Sequence, residues 1–183
     1  MSMPPTLTGP RVTLWPVQLG DVAARLALGR DEGIVRMFAD PAGLLPFTEA
    51  SAVRWVEGIA ASPHAWIVEH EGRLLGDVRL HDLDESDQRA LLAIALLDRA
   101  KLGLGLGRET VRLVLRHAFD ALRLHRVGLR VVAYNERAIR CYQACGFTEE
   151  GREREAARIG DARHDDVMMG VLAREFTWRP DAP

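Results

Sequence analysis

Three glycines alternate with leucines over Leu102-Gly103-Leu104-Gly105-Leu106-Gly107, and the chain then enters the helical pattern that starts at Arg108. A glycine-rich loop that opens a helix gathers bare main-chain N–H groups around an anion, at the positive end of the helix dipole. The chemistry offered is phosphate binding by backbone. No Gly-Lys-Ser/Thr follows, so the loop is not a P-loop. Its Gly-x-Gly-x-Gly spacing, with no suitable acid after the next strand, is not the dinucleotide fingerprint either. Taken alone, the same glycines would serve equally as a flexible helix entry. A second polar pair follows in Asn135, at the opening of another helical pattern, and Tyr142, about two turns further on.

These residues need a scaffold that brings both sets to one edge. Residues 90–97 are a continuous apolar run and read as a strand buried on both faces. Residues 108–122 carry Val111, Val114, Leu115, Ala118 and Leu122 on one stripe and read as an amphipathic helix. Residues 125–133 read as a strand, and Asn135 to Cys145 as a helix stopped by Gly146. Strand, loop, helix and parallel strand make one crossover unit, so the glycine loop and Asn135 open on the same sheet edge.

Ahead of that unit, residues 11–17 read as a strand. Residues 21–29 read as a helix with Val22, Ala23, Leu26 and Ala27 inward. Residues 40–47 read as a loop, and 48–62 as a helix with Ala52, Val53, Val56 and Ile59 inward. Residues 64–70 and 73–81 flank Glu71-Gly72 as a hairpin. A last strand pair, 152–158 and 167–172, turns at Gly160-Asp161. Trp55 and Trp66 read as core. The order β-α-α-β-β-β-α-β-α-β-β implies a single α/β (α+β) domain over residues 1–183 rather than a doubly wound nucleotide fold.

From Ala90 to Phe147 the chain resembles the GNAT superfamily of acyl-CoA-dependent N-acetyltransferases. The resemblance rests on the buried strand, the glycine loop ahead of a helix, and the motif Asn135, Ala138, Tyr142, Gly146 and Phe147. The opening GPRVTLWPV, the run FDALRLHRVGLRV and the closing RHDDVMMGVLAREF are similar to the branch holding ribosomal-protein N-alanine and spermidine acetyltransferases (the Rim type). The resemblance implies a mixed sheet of about seven strands with about four helices, splayed between the fourth and fifth strands. It also implies acetyl-CoA as co-substrate, with no metal. The pyrophosphate of CoA would sit on Leu102, Gly103, Leu104, Gly105, Leu106, Gly107 and Arg108. Pantetheine would run beside Leu96 and Leu97, with Asn135 and Ala138 against its arm. Tyr142 would protonate the departing thiolate, an assistance of about 10²–10⁴-fold. The acceptor implied is a primary amine, first a protein or peptide N-terminus, then an amino sugar or other small amine. Homodimers are common in the family.

Two features depart from the family pattern. Leu102 and Leu104 stand where Gln or Arg and Lys are frequent, so CoA would rest on main chain, with Lys101 and Arg108 as nearby cations. Relatives often carry a glutamate on the fourth strand, as Ala-Glu-Leu-Gly-Ile. Here Ala90-Leu91-Leu92-Ala93-Ile94 lacks it. By residue type His81, Asp82, Glu85 and His164 are candidates for the missing base, each equally readable as a plain surface residue, and the missing carboxylate argues against a polyamine. Phe38 and Phe47 would line an acceptor groove built from the loops Asp31–Thr48 and Arg158–Asp166. The competing reading is an acyl-CoA-binding sensor or interaction module that has lost catalysis. The retained Asn135 and Tyr142 favour the enzyme.

Composition narrows the partners. A 48% hydrophobic fraction and a formal charge of −2 fit a globular protein without a nucleic-acid or membrane-surface partner. No run approaches the ~18 apolar residues of a membrane span, and MSMPPTLTGP is not a signal peptide, so the expected location is cytoplasmic. Cys141 and Cys145 are four apart with no nearby histidine and read as reduced thiols rather than zinc ligands.

Overall fold

The structure is a computed structural model that describes residues 3–38 and 47–178. It opens with β1 (Leu7–Thr8) and β2 (Thr13–Pro16), then α1 (Asp21–Leu28) and α2 (Glu32–Val35), which runs into a 3-10 turn, Arg36–Phe38. Next come α3 (Glu49–Ala60) and the meander β3 (His64–His70), β4 (Arg73–Asp84) and β5 (Arg89–Leu96). The glycine loop leads into α4 (Leu106–Arg116), which ends in a π-helical turn, His117–Ala121. The rest is β6 (Arg126–Val132), α5 (Glu136–Ala144), β7 (Thr148–Ile159) and β8 (Ala162–Leu172).

Side-chain caps set several helix starts. Thr48 accepts from the Ser51 N–H at 3.3 Å, Asp31 from Ile34 at 3.0 Å, and Asn135 from Ala138 at 3.3 Å. The eight strands form one sheet in the order β1-β2-β3-β4-β5-β6-β8-β7. Its main core lies against α4, where Leu14, Trp66, Val78, Leu80, Leu113, Leu115 and Met169 are buried.

One discontinuity in this sheet makes the site. β5 and β6 are parallel and pair over only three positions, Arg89↔Arg126, Ala90↔Val127 and Leu91↔Gly128. β6 then follows β8 through Val132, whereas β5 follows β4 up to Leu96. The two strands therefore part, as the family resemblance implies. The Leu97 N–H donates to the Leu75 carbonyl at 2.8 Å, so strand alternation turns the Leu96 N–H the other way, into the gap. Gly76 allows β4 to press close here. A Cβ at Gly76 would lie 1.8 Å from the Ala95 carbonyl oxygen.

Several expectations are corrected. The sheet has eight strands rather than seven because Leu7 and Thr8 pair with Leu14 and Thr13. The described residues hold five α-helices rather than four because residues 32–35, expected within a loop, form α2. β5 is not buried on both faces. Ala90 and Leu92 are buried, but Leu91 is 37% exposed and Ala93–Leu96 are half-buried, because β6 no longer covers them. In α1 the inward face is Asp21 and Arg25, while Leu26 is exposed. Asp21 earns that place by accepting the Gln18 N–H at 2.7 Å and the Trp15 indole N–H at 3.4 Å. Trp66 is core, whereas Trp55 is half-buried at a cavity wall. Residues 158–166 are not a loop but the ends of β7 and β8 around their turn. The expected loop at 40–47 lies, save for Phe47, outside the described residues.

Candidate active site

The gap between β5 and β6 is a cleft of about 310 Å³. Leu96, Leu102, Gly103, Gly105, Gly107 and Arg108 line one side of it, and Asn135, Ala138 and Tyr142 the other. The side chains of three residues assigned to the same site lie elsewhere. Leu97 borders a second cavity, Leu104 is 52% exposed, and the Leu106 side chain is buried in the core.

Gly105 is the residue before α4 and adopts φ 82°, a left-handed conformation that suits glycine. The first backbone bond of the helix runs from the Glu109 N–H to the Gly105 carbonyl at 3.1 Å. The N–H groups of Leu106 and Gly107 precede every intrahelical acceptor, which makes them the candidate seat for an anion. Arg11 holds this loop in place. Its Nη1 donates to the Leu104 carbonyl at 2.9 Å and its Nε to Glu109 Oε2 at 3.0 Å. Glu109 is 3% exposed, and its Oε1 accepts the N–H groups of Arg11 and Val12 at 2.7 and 3.0 Å. Sequence reasoning missed this clamp because its partners are 98 positions apart. Lys101, Arg137 and Arg140 also border the cleft, so cations surround the seat even though Leu102 and Leu104 are apolar.

Tyr142 is held edge-on to Phe147, with ring centroids 5.9 Å apart. Among the described residues no group hydrogen-bonds its hydroxyl. Burial, and then Cys141 and Cys145, push the phenol well above its ordinary pKa, so it keeps its proton at neutral pH. Asn135 uses its side-chain oxygen as the cap of α5, which leaves its amide N–H groups for a ligand.

Residues 11–148 match the acetyltransferase (GNAT) domain. The chain belongs to the GNAT acetyltransferase family. A Bacillus subtilis protein named "Putative ribosomal N-acetyltransferase YdaF" is 29% identical over 107 residues, 58% of each chain. The stretch aligned spans less than two thirds of the length of the curated relatives it matches. Among solved structures, a "putative acetyltransferase from T. thermophilus" is 28% identical with a TM-score of 0.81, covering 96% of this chain and 93% of that one. The spermidine N-acetyltransferase of Vibrio cholerae, solved with CoA and spermine, shares the fold at a TM-score of 0.75 and 23% identity, over 90% of this chain and 97% of that one.

In this GNAT domain a second cavity, about 530 Å³, lies beneath α1 and α3. Ile34, Phe38 and Ile94 border both it and the cleft, so the two meet there. Phe38 and Phe47 line it as expected for an acceptor groove, but no residue of 158–166 does.

The bases suggested by residue type are not in either space. His81, Asp82 and Glu85 border a third hollow, which shares Gly58 and Arg79 with the second cavity. His81 pairs with Leu91, and Leu96 lies five residues along β5, or roughly 17 Å at the usual strand rise. His164 stacks edge-on to Tyr134, with centroids 4.8 Å apart, and borders neither cavity.

The acid in place is Asp77, directly across the ladder from Ala95 on β5. It lines the second cavity, is 5% exposed, and has no hydrogen-bond partner among the described residues. Burial raises its pKa to about 6, against the opposing pull of Arg79 and Arg25. The only sequence signal was an acid within the otherwise apolar run Leu74-Leu75-Gly76-Asp77-Val78. No described helix is long and apolar enough to cross a membrane.

Proposed function

We propose that this protein transfers the acetyl group of acetyl-CoA to a primary amine by direct attack. One observation carries the reading: Tyr142 presents a protonated, unpaired hydroxyl in the same cleft as the glycine loop and Asn135. The main chain of Leu106 and Gly107 seats the pyrophosphate, the free side of β5 at Leu96 guides pantetheine, and the Asn135 amide donates to its arm.

The amine lone pair forms the new C–N bond at the thioester carbonyl, and the C–S bond breaks. Tyr142 gives its proton to the departing sulfur. The amine proton passes to Asp77, whose raised pKa lies close to the range in which a general base works at neutral pH. Tyr142 recovers a proton from solvent. Oxyanion development is met by N–H groups along the open edge of β5.

The resemblance and relatives named as ribosomal and spermidine acetyltransferases support an amine acceptor, with a peptide N-terminus and small amines as the classes to compare. The alternative, a sensor that binds acyl-CoA without turnover, would give no role to the unpaired Tyr142 hydroxyl or the buried Asp77 carboxyl. Calorimetric titration with acetyl-CoA beside 3′-dephospho-acetyl-CoA, followed by thiol release with amines, tests the reading. Micromolar binding and amine-dependent release are expected. Absence of acetyl-CoA binding overturns the reading, and binding without release with any amine favours the sensor.

A further inference from the structure

The acceptor cavity carries more positive charge than an amine needs. Arg25, Arg30, Arg54 and Arg79 line it, and Asp77 is the only acid among its described lining residues. Those charges repel a polycation such as a polyamine, most strongly at the buried end of the cavity.

Arg25 is the informative member. It is only 4% exposed, with its guanidinium 4.1 Å from the Phe47 ring centroid and 5.2 Å from that of Trp55. A guanidinium offers several N–H donors. Arg25 uses Nη1, which donates to the Gly29 carbonyl at 2.6 Å, while its buried Nε has no acceptor among the described residues. No carboxylate among the described residues forms an ion pair with it, and Asp77 acts on it only through space. Burial and the neighbouring Arg30 lower its pKa to about 10, so it stays charged at neutral pH. A buried cation with donors to spare is costly in an empty site and is satisfied by an anion that enters.

Arg79 points the same way. It lies two residues beyond Asp77 on the same face of β4, and among the described residues it has neither hydrogen bond nor ion pair. Asp77 faces Ala95, beside the strand that guides the thioester. The cavity thus brings an acid beside β5 and a buried cation on α1 to one lining, which Phe38, Phe47 and Trp55 share.

Resting on the acetyl-transfer reading above, we propose that the acceptor is a small primary amine bearing its own carboxylate or phosphate, with the anion on Arg25 and the amine at Asp77. A peptide N-terminus has a neutral amide where this anion would lie, and spermidine has a second cation.

The test compares kcat/KM for L-phenylalanine, L-phenylalaninamide, O-phosphoethanolamine, ethanolamine, a C-terminally amidated alanyl peptide and spermidine. The CoA-loaded protein is titrated calorimetrically with the same amines. At least one anionic amine should exceed its neutral counterpart by about 100-fold. The winning pair tells carboxylate from phosphate. In Arg25→Met the ratio of acid to neutral amine should collapse towards one. Arg79→Gln, on a half-buried strand position, should lower the same ratio if the first variant fails to fold. Equal or better use of phenylalaninamide, the peptide or spermidine overturns the inference while acetyl transfer stands. Acetyl-CoA binding with no response to either anionic amine, in turnover or in heat, also overturns it. A protein that does not bind acetyl-CoA removes the transfer reading and this inference together.

Discussion

Arg11 and Glu109 join the turn between β1 and β2 to the first turn of α4, with the guanidinium Nε donating to the carboxylate at 3.0 Å. The same guanidinium holds the Leu104 carbonyl at 2.9 Å, so one arginine both fixes the helix and pulls the loop carbonyl away from the cleft. A carbonyl turned towards a pyrophosphate would oppose it. Arg11→Met should therefore weaken acetyl-CoA binding by about tenfold, a loss comparable to one charge-assisted hydrogen bond. Glu109→Ala leaves the Arg11 and Val12 N–H groups without their acceptor and should cost about 2–4 kcal/mol in urea unfolding. Calorimetry and denaturant titration on the two variants separate loop placement from stability.

Tyr142→Phe keeps the ring against Phe147 and removes only the hydroxyl. The acetyl-CoA Kd should change by less than about threefold, while kcat falls by about 10²–10⁴-fold. Because burial raises the phenol pKa, the wild-type rate should show no loss of the acid between pH 7 and 9. A kcat unchanged in the Phe variant would remove Tyr142 from the chemistry.

Asp77 makes an unusual trade between stability and activity. Its folded pKa, about 6, lies above the ordinary carboxylate value, so the unfolded chain gives up this proton more readily. The stability it contributes is full below the ordinary value and is lost as pH rises through about 6. The charged groups that line the cavity with it are Arg79 on β4, Arg25 and Arg30 from α1 and its C-terminal side, and Arg54 on α3. Asp77→Asn should thus match wild type near pH 4 and exceed it at pH 7.5 by on the order of 3 kcal/mol. Its kcat/KM should fall at least about 100-fold and lose the limb near pH 6. Thermal melts across pH, with rate profiles on the same samples, check both halves.

His64 and His117 should make the fold sensitive to mild acid. Burial lowers both pKa values, and His64 adds to the effect on His117. His64 Nδ1 and His117 Nε2 are buried without hydrogen-bond partners among the described residues. The unfolded chain therefore binds protons first as pH falls below about 6.5, and stability drops with it. Asp77 acts in the opposite direction over part of this range, so the comparison is wild type against His117→Gln. The variant should show a shallower fall in Tm between pH 7 and 5, and parallel curves would refute the assignment.

The crossover unit was legible because its signals are local. The glycine loop, the Asn135 cap and the Gly146 stop mark strand and helix ends, and a parallel connection brings those ends to one edge. Arg25 was not legible, since an arginine in a helix reads as solvent-facing until Phe47 and Trp55 are seen to cover it. Asp77 was hidden for a similar reason. Its neighbours in sequence are apolar, and only the register with Ala95 places it beside β5. The second cavity is assembled from α1, α3, β4 and β5, and such long-range contacts leave little periodic trace.

Asn135 has two roles that a pair of substitutions can separate. Its side-chain oxygen caps α5 at Ala138, and its amide faces the cleft. Asn135→Ala removes both and should cost about 1 kcal/mol of stability together with about tenfold in acetyl-CoA affinity. Asn135→Ser restores an oxygen that can cap the helix but is too short to reach a ligand with an amide donor. The Ser variant should therefore recover most of the Tm and little of the affinity. If the Ser variant regains both, Asn135 acts on the cofactor only by setting the start of α5, and donation to the pantetheine arm is discarded.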